Sequence, residues 1–243
     1  LPGCPACAPM FSSHSPAVLP SAPSGDVVFR GAVAWIATES LVCAHSLDNL
    51  HAGEGDAHLS TIEGEAAQLE RFDQRLAVAT GASLRVYDIS DSESPSVAWS
   101  TAFTSGVVDM DRQSGGFAVL LGDRVWVYQI AGNSELQSPE ELQFGASDHR
   151  LVAFKGQDQV VVVREAESVA TLALYGTSDA NQLGLTGTPV TLVGSKVFGL
   201  EVQSNVAYLA TNHGLERVDL GNAPTYRDGL ELPGGSFGLF LIE

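Results

Sequence analysis

Positive charge is scarce in this sequence. Its 243 residues hold 12 Lys and Arg against 29 Asp and Glu, a formal net charge of −17. A chain this acidic is repelled by phosphate backbones and by anionic lipid, which excludes nucleic acid as a partner and leaves the membrane reachable only through an attached anchor. Cysteine is almost missing too: Cys4, Cys7 and Cys43 are too few for a disulfide framework. No apolar run approaches the ~20 residues of a membrane-spanning helix. What is present is a hydrophobic fraction of 44%, enough for a sizeable core and incompatible with general disorder.

The chain repeats itself. "LAVATGASLRVYDI" (76–89) aligns without a gap on "FAVLLGDRVWVYQI" (117–130), with Gly81 on Gly122, Val86 on Val127 and Tyr87 on Tyr128. "AYLATNHGLERVDL" (207–220) shares the pattern, and "VAWIATESLVCAHS" (33–46) and "VVVREAESVATLAL" (161–174) are weaker copies. With Leu41, Leu84, Val125, Val169 and Leu215 as anchors, the spacings are 43, 41, 44 and 46 residues. In the second copy "AAQLERF", "RLAVAT", "LRVYDI" and "SVAWSTAF" read as four strands, with turn residues between them. Strand two is apolar throughout in every copy, so both of its faces are covered.

Four-stranded units of about 40–45 residues with doubly covered central strands predict an all-β chain. We expect a β-propeller of four-stranded antiparallel blades, with a β-sandwich as the rival that does not require a recurring motif. Five repeats are visible, about 26–64, 65–105, 106–146, 147–194 and 195–236. Residues 237–243, "FGLFLIE", copy the first strand of the preceding repeat, "FGLEVQS", and begin a sixth. Together with Leu1 in place of an initiating Met, this suggests a piece of a longer chain.

"LRVYDISDSESP" (84–95) resembles the bacterial LVIVD-type repeat, in which strand three runs into an Asp-containing turn and then a proline. The likeness is strongest over 66–100, weaker over 107–131 and 198–220, and thin elsewhere; Gln129 replaces the Asp expected after "VY". The resemblance implies a propeller and an extracytoplasmic bacterial location, often at the cell surface, and carries no catalytic residue onto this chain. From the residues, Tyr87 and Ile89 should pack between sheets while Asp88 and Asp91 shape the turn.

Residues 1–25 are rich in Pro, Ser and Ala and read as a tether. Within them "LPGC" loosely resembles a lipobox, which makes Cys4 a lipidation candidate, a plain linker being the alternative. "CPAC" (4–7) has redox or zinc spacing but neither a second pair nor a helix start, so a local disulfide, a lipidated cysteine or an inert thiol fits better. "GGSFG" (234–238) matches a nucleophile elbow, yet small residues at a crossover between blades explain it.

Two constellations carry ligand chemistry. His45, His51 and His58, with Asp48, Glu54 and Asp56, fall in "HSLDNLHAGEGDAH", read as a polar loop able to gather a transition metal. Fourteen positions before the anchors stand Glu70, Asp111, Lys155 and Glu201, each preceded by an apolar residue. If strand one is innermost, these four form a mainly acidic ring that attracts a divalent cation or a basic group. The expected function is a non-catalytic binding or scaffold module, for a protein or other ligand, at loops or a central channel. The alternatives are a propeller enzyme, either a quinone-dependent dehydrogenase or a metal-dependent hydrolase, and a metal-binding module.

Overall fold

A computed structural model of the chain describes residues 26–37, 41–48, 58–63, 68–113, 116–129, 139–144, 148–156, 159–166, 169–177 and 183–232. These form two compact units, divided between Val107 and Val108.

The first unit holds two four-stranded antiparallel sheets. One is β1 (Val27–Arg30), β2 (Val33–Ala37), β3 (Leu41–Ser46) and β4 (His58–Glu63); the other is β5 (Gln68–Phe72), β6 (Arg75–Thr80), β7 (Ser83–Asp88) and β8 (Ser96–Ala102). Each sheet runs in chain order, first strand at one edge and fourth at the other. Their shared core includes Trp35, Val42, Leu69, Leu76, Val78, Tyr87 and Ile89. The turn after Asp88 is built by that residue and Asp91: Ser90 N donates to Asp88 Oδ1 and Glu93 N to Asp91 Oδ1, both at 2.9 Å.

The second unit holds three such sheets. They are β9 (Asp109–Gln113) to β12 (Glu140–Gln143) through β10 (Gly116–Leu120) and β11 (Arg124–Gln129); β13 (His149–Phe154) to β16 (Leu183–Val193) through β14 (Gln159–Ala166) and β15 (Val169–Thr177); and β17 (Val197–Gln203) to β20 (Thr225–Glu231) through β18 (Val206–Thr211) and β19 (Gly214–Asp219). The first strands β9, β13 and β17 are neighbours in that order. One core joins the β9–β12 and β13–β16 sheets around Val125, Phe154 and Val162, and another joins β13–β16 to β17–β20 around Leu172 and Leu209.

Second strands are the interior: all five residues of β10 are buried, and Val160 to Val163 of β14 are at most 1% exposed. Two of the fourth strands are the opposite, β8 and β20 being exposed along most of their length, while β12 is largely half-buried. The pairing of third with fourth strand shifts register at Ala44/His45, Val86/Tyr87, Leu172/Leu174 and Arg217/Val218. Such bulges bend an outer strand and blunt its free edge against further pairing.

Register corrects two of the sequence anchors. Leu84, Val125 and Leu215 face Ala79, Leu120 and Ala210 across their hairpins, but in the first and fourth repeats the matching places belong to Val42, opposite Ala37, and Ala170, opposite Glu165. Val42 and Ala170 are fully buried, whereas Leu41 and Val169 are only partly so. Apolar neighbours at adjacent positions made the alignment ambiguous by one residue.

Candidate functional site

The densest charge arrangement lies on the first strands of the second unit. Three carboxylates upstream in the chain reach the backbone of the following repeat, each across 43 residues. Asp26 Oδ2 accepts from Leu69 N at 3.0 Å in the first unit; in the second, Asp109 Oδ2 accepts from Val152 N at 2.7 Å and Asp111 Oδ2 from Phe154 N at 2.6 Å. A sheet's first strand has one edge with no partner strand, and these side chains satisfy donors that would otherwise face inward unpaired. Glu165 does the same for Val197 N at 3.3 Å.

Asp111 is partly accessible on β9, with protein packed densely around its carboxyl. Burial pushes its pKa up to about 6, against the opposing pull of the Phe154 and Arg112 amides. Glu201, on β17, rises to about 7, first through burial and then through the nearby negative charge of Asp111. Burial is the first cause of both shifts, and repulsion from Asp111 adds to that of Glu201. The mismatch between them and solvent is the main electrostatic feature of this unit.

Glu70 occupies the corresponding row of β5, opposite Ala77, in the first unit. Lys155 is off the row: it lies past the end of β13 at the β13–β14 hairpin, its N–H bonded to Gln159 O and its Nζ donating to Gly221 O at 3.3 Å. The hairpin of this repeat is longer than the others, which moves every residue counted backwards from Val169. The apolar partners of the set do pack between sheets: Leu69, Phe154 and Leu200 each join an inter-sheet core.

The histidine stretch is divided. His45 is a buried residue of β3, 8% exposed, and its backbone pairs in register with His58, the first residue of β4. Asp48 is exposed just after β3. His51, Glu54 and Asp56 lie outside the described residues, as do Cys4, Cys7, Ser236 and the 237–243 strand. Among the described residues no three His, Cys, Asp or Glu side chains gather as a metal site. Cys43 is disulfide-bonded and buried.

Two cavities escaped the sequence reading. One of about 520 Å³ lies between the β9–β12 and β13–β16 sheets, where the His149 ring stacks on Phe144 at 3.8 Å between centroids and donates Nδ1–H to Gly122 O at 2.9 Å. The other, about 380 Å³, lies between β16 and the β19–β20 pair. Its Ser195 hydroxyl donates to Glu216 Oε1 at 2.9 Å, and His213 Nε2 is bonded to Gly194 O at 3.1 Å. Hydroxyl and imidazole are thus engaged separately, and the trio makes no nucleophile–base relay. Neither cavity has a one-dimensional signature, since each is formed by residues from two sheets.

No protein-family model and no curated protein matches the sequence. Solved structures do resemble it. The WD40 domain of Neurospora crassa Pan2 superposes with a TM-score of 0.62 at 10% identity, over 86% of this chain and 66% of that one. The WD40 domain of Toxoplasma gondii coronin gives 0.61 at 10% identity, over 84% and 57%. The N-terminal domain of Nup159 gives 0.59 at 14% identity, over 86% and 64%. The chain therefore spans less than two thirds of each of these structures. At such identities the likeness speaks of architecture alone, and with the five chain-ordered sheets it establishes the fold as a β-propeller of four-stranded antiparallel blades.

Proposed function

We propose that the protein is a non-catalytic binding module that works outside the cytoplasm, a rigid blade framework presenting its outer strands and connecting turns to a protein partner. One observation carries this reading: large apolar side chains stand exposed on the fourth strands, where the framework does not need them. Val97 on β8, Leu185 and Val193 on β16, and Tyr226 and Leu230 on β20 are 48–81% exposed. Single exposed hydrophobics are ordinary, and Val27, Phe29 and Phe198 on first strands are such cases, but Val193, Tyr226 and Leu230 gather around one depression between β16 and β20, and such a grouping marks a surface used for contact.

The extracytoplasmic part rests on the disulfide at Cys43, because such bonds persist in oxidising compartments. It agrees with the location that the LVIVD-type resemblance implies and, separately, with the lipobox-like "LPGC", through which a lipid on Cys4 would anchor the tether. Asp111 and Asp109 are committed to the backbone of the next repeat, so we assign them to holding the frame. Glu201 is the member of the acidic set left to meet a cation or basic group.

The test is photo-crosslinking from a benzoylphenylalanine placed at Val193 or Val97, followed by affinity measurement with the purified partner. Val193→Ser combined with Leu230→Ser should weaken that affinity at least about tenfold, with the melting temperature unchanged. A partner indifferent to both changes would retire the outer-strand surface. Calorimetric titration with calcium, zinc and copper addresses Glu201 separately, a flat trace removing the cation role.

A further inference from the structure

We propose that the 380 Å³ cavity beside β16 receives a basic side chain of the partner protein, a lysine or arginine flanked by apolar residues. This inference rests on the binding-module reading and names the point of contact.

The cavity has an acidic end and an apolar rim. Glu216 and Glu231 supply carboxylates, and neither Lys nor Arg lines the wall. Glu216 is fixed from behind: the buried Ser195 hydroxyl donates to Oε1 at 2.9 Å, and the buried Thr211 hydroxyl, whose one hydrogen is shared with Gly214 O at 3.1 Å, lies 3.3 Å from the same oxygen. Among the described residues Oε2 has no hydrogen bond, so one oxygen of an oriented carboxylate is left over. The positioning cost of the acid is thereby met before any ligand arrives.

The rim explains what kind of cation fits. Val193, Tyr226 and Leu230 line the cavity, and they are three of the nine large hydrophobics that the described surface exposes. The Tyr226 ring is seated over Gly229, whose added Cβ would lie 3.1 Å from the Tyr226 hydroxyl oxygen. A lysine or arginine presents the matching pattern, a methylene stem for the rim and a charged head for the carboxylate. A bare metal ion would leave the rim unused, and His213 Nε2 is already engaged, with Gly194 O at 3.1 Å and Asn212 Nδ2 at 3.3 Å. An anion would meet two carboxylates. The net charge of −17 adds long-range attraction for a basic partner.

The probe is an acetylated, amidated Leu-Lys-Leu peptide titrated into the full chain and followed by amide chemical shifts. Its counterpart carries norleucine in place of lysine, which keeps the stem and removes the charge. The lysine peptide should saturate, move the amides of His213 and Gly229, and bind about tenfold more tightly than the norleucine peptide. Glu216→Gln keeps an acceptor for Ser195 and Thr211, so the fold survives, and it should erase that preference. Leu230→Ser should weaken both peptides. Equal affinity for the two peptides, indifference to Glu216→Gln, shifts confined to other surfaces, or no binding would each overturn the proposal. A purified partner that binds wild type and Glu216→Gln alike, yet responds to the outer-strand changes, removes this inference and leaves the binding module standing.

Discussion

The Asp111 carboxylate accepts a 2.6 Å hydrogen bond from the backbone N–H of Phe154, one repeat further along the chain. Removing the acceptor while keeping the donor buried exposes the cost of that bond. Asp111→Ala should lower unfolding free energy by about 1–3 kcal/mol in urea denaturation. Asp111→Asn retains an acceptor and relieves repulsion with Glu201, so at pH 8 it should be neutral or stabilising. A loss of the same size in both variants would show that the charge, rather than the bond, matters.

Protonation of the same pair sets a pH dependence. The folded values, about 6 for Asp111 and about 7 for Glu201, lie above the ordinary 3.8 and 4.5. The fold therefore binds more protons than the unfolded chain between roughly pH 4 and 7, and stability falls as pH rises through that window. The urea midpoint at pH 5 should exceed that at pH 8, and Glu201→Gln should flatten the difference. Asp88, Asp123, Asp148 and Asp228, held below their ordinary value by hydrogen bonds, act in the opposite sense only under more acidic conditions. A wild-type curve rising from pH 5 to 8 would contradict the assignment.

Gly214 opens β19 with φ of 136°, and a Cβ there would collide with Leu230 O, a backbone atom that cannot step aside. Gly214→Ala should destabilise by more than about 3 kcal/mol, combining conformational strain with a clash. Thermal unfolding followed by circular dichroism checks it, with a shift under a few degrees counting against.

The register correction yields a paired comparison. Leu84 is completely buried and Leu41 only partly. Leu84→Ala should cost about 2–5 kcal/mol and Leu41→Ala distinctly less, even though the sequence aligns them as equivalents. Similar losses in chemical denaturation would restore the original alignment.

Cys43 offers a direct chemical check. In urea without reductant one of the three cysteines should take up maleimide and all three should after reduction, and the intact mass should be two hydrogen atoms, about 2 Da, below that of the fully reduced chain. Loss of the bond by Cys43→Ala should destabilise by about 2–4 kcal/mol. Labelling of all three cysteines in urea without reductant would deny the disulfide and, with it, the support for an oxidising compartment.

The framework was largely legible because its signals are local. An apolar second strand and a turn glycine such as Gly81 or Gly122 recur at a readable period, and the Asp88–Asp91 turn is set by residues next to one another in the chain. Placement of charges was read less well. Asp111 and Glu201 were picked out by counting, but the count also chose Lys155, which a longer hairpin carries off the row. His45 read as loop because polar residues follow it closely, whereas its neighbours Val42, Cys43 and Ala44 draw it into a buried strand. Ser195, Glu216 and Tyr226 had no sequence signal at all: they meet only when two sheets stack.

The bonds from Asp26, Asp109 and Asp111 are lopsided in what they ask of the genetic text. The acceptor must be a carboxylate at a particular codon, while the donor is main chain, which every amino acid except proline supplies. Later copies can thus drift in sequence without losing their hold on earlier ones, provided the acceptor persists. Divergence among duplicated units is then tolerated on one side of each seam and policed on the other.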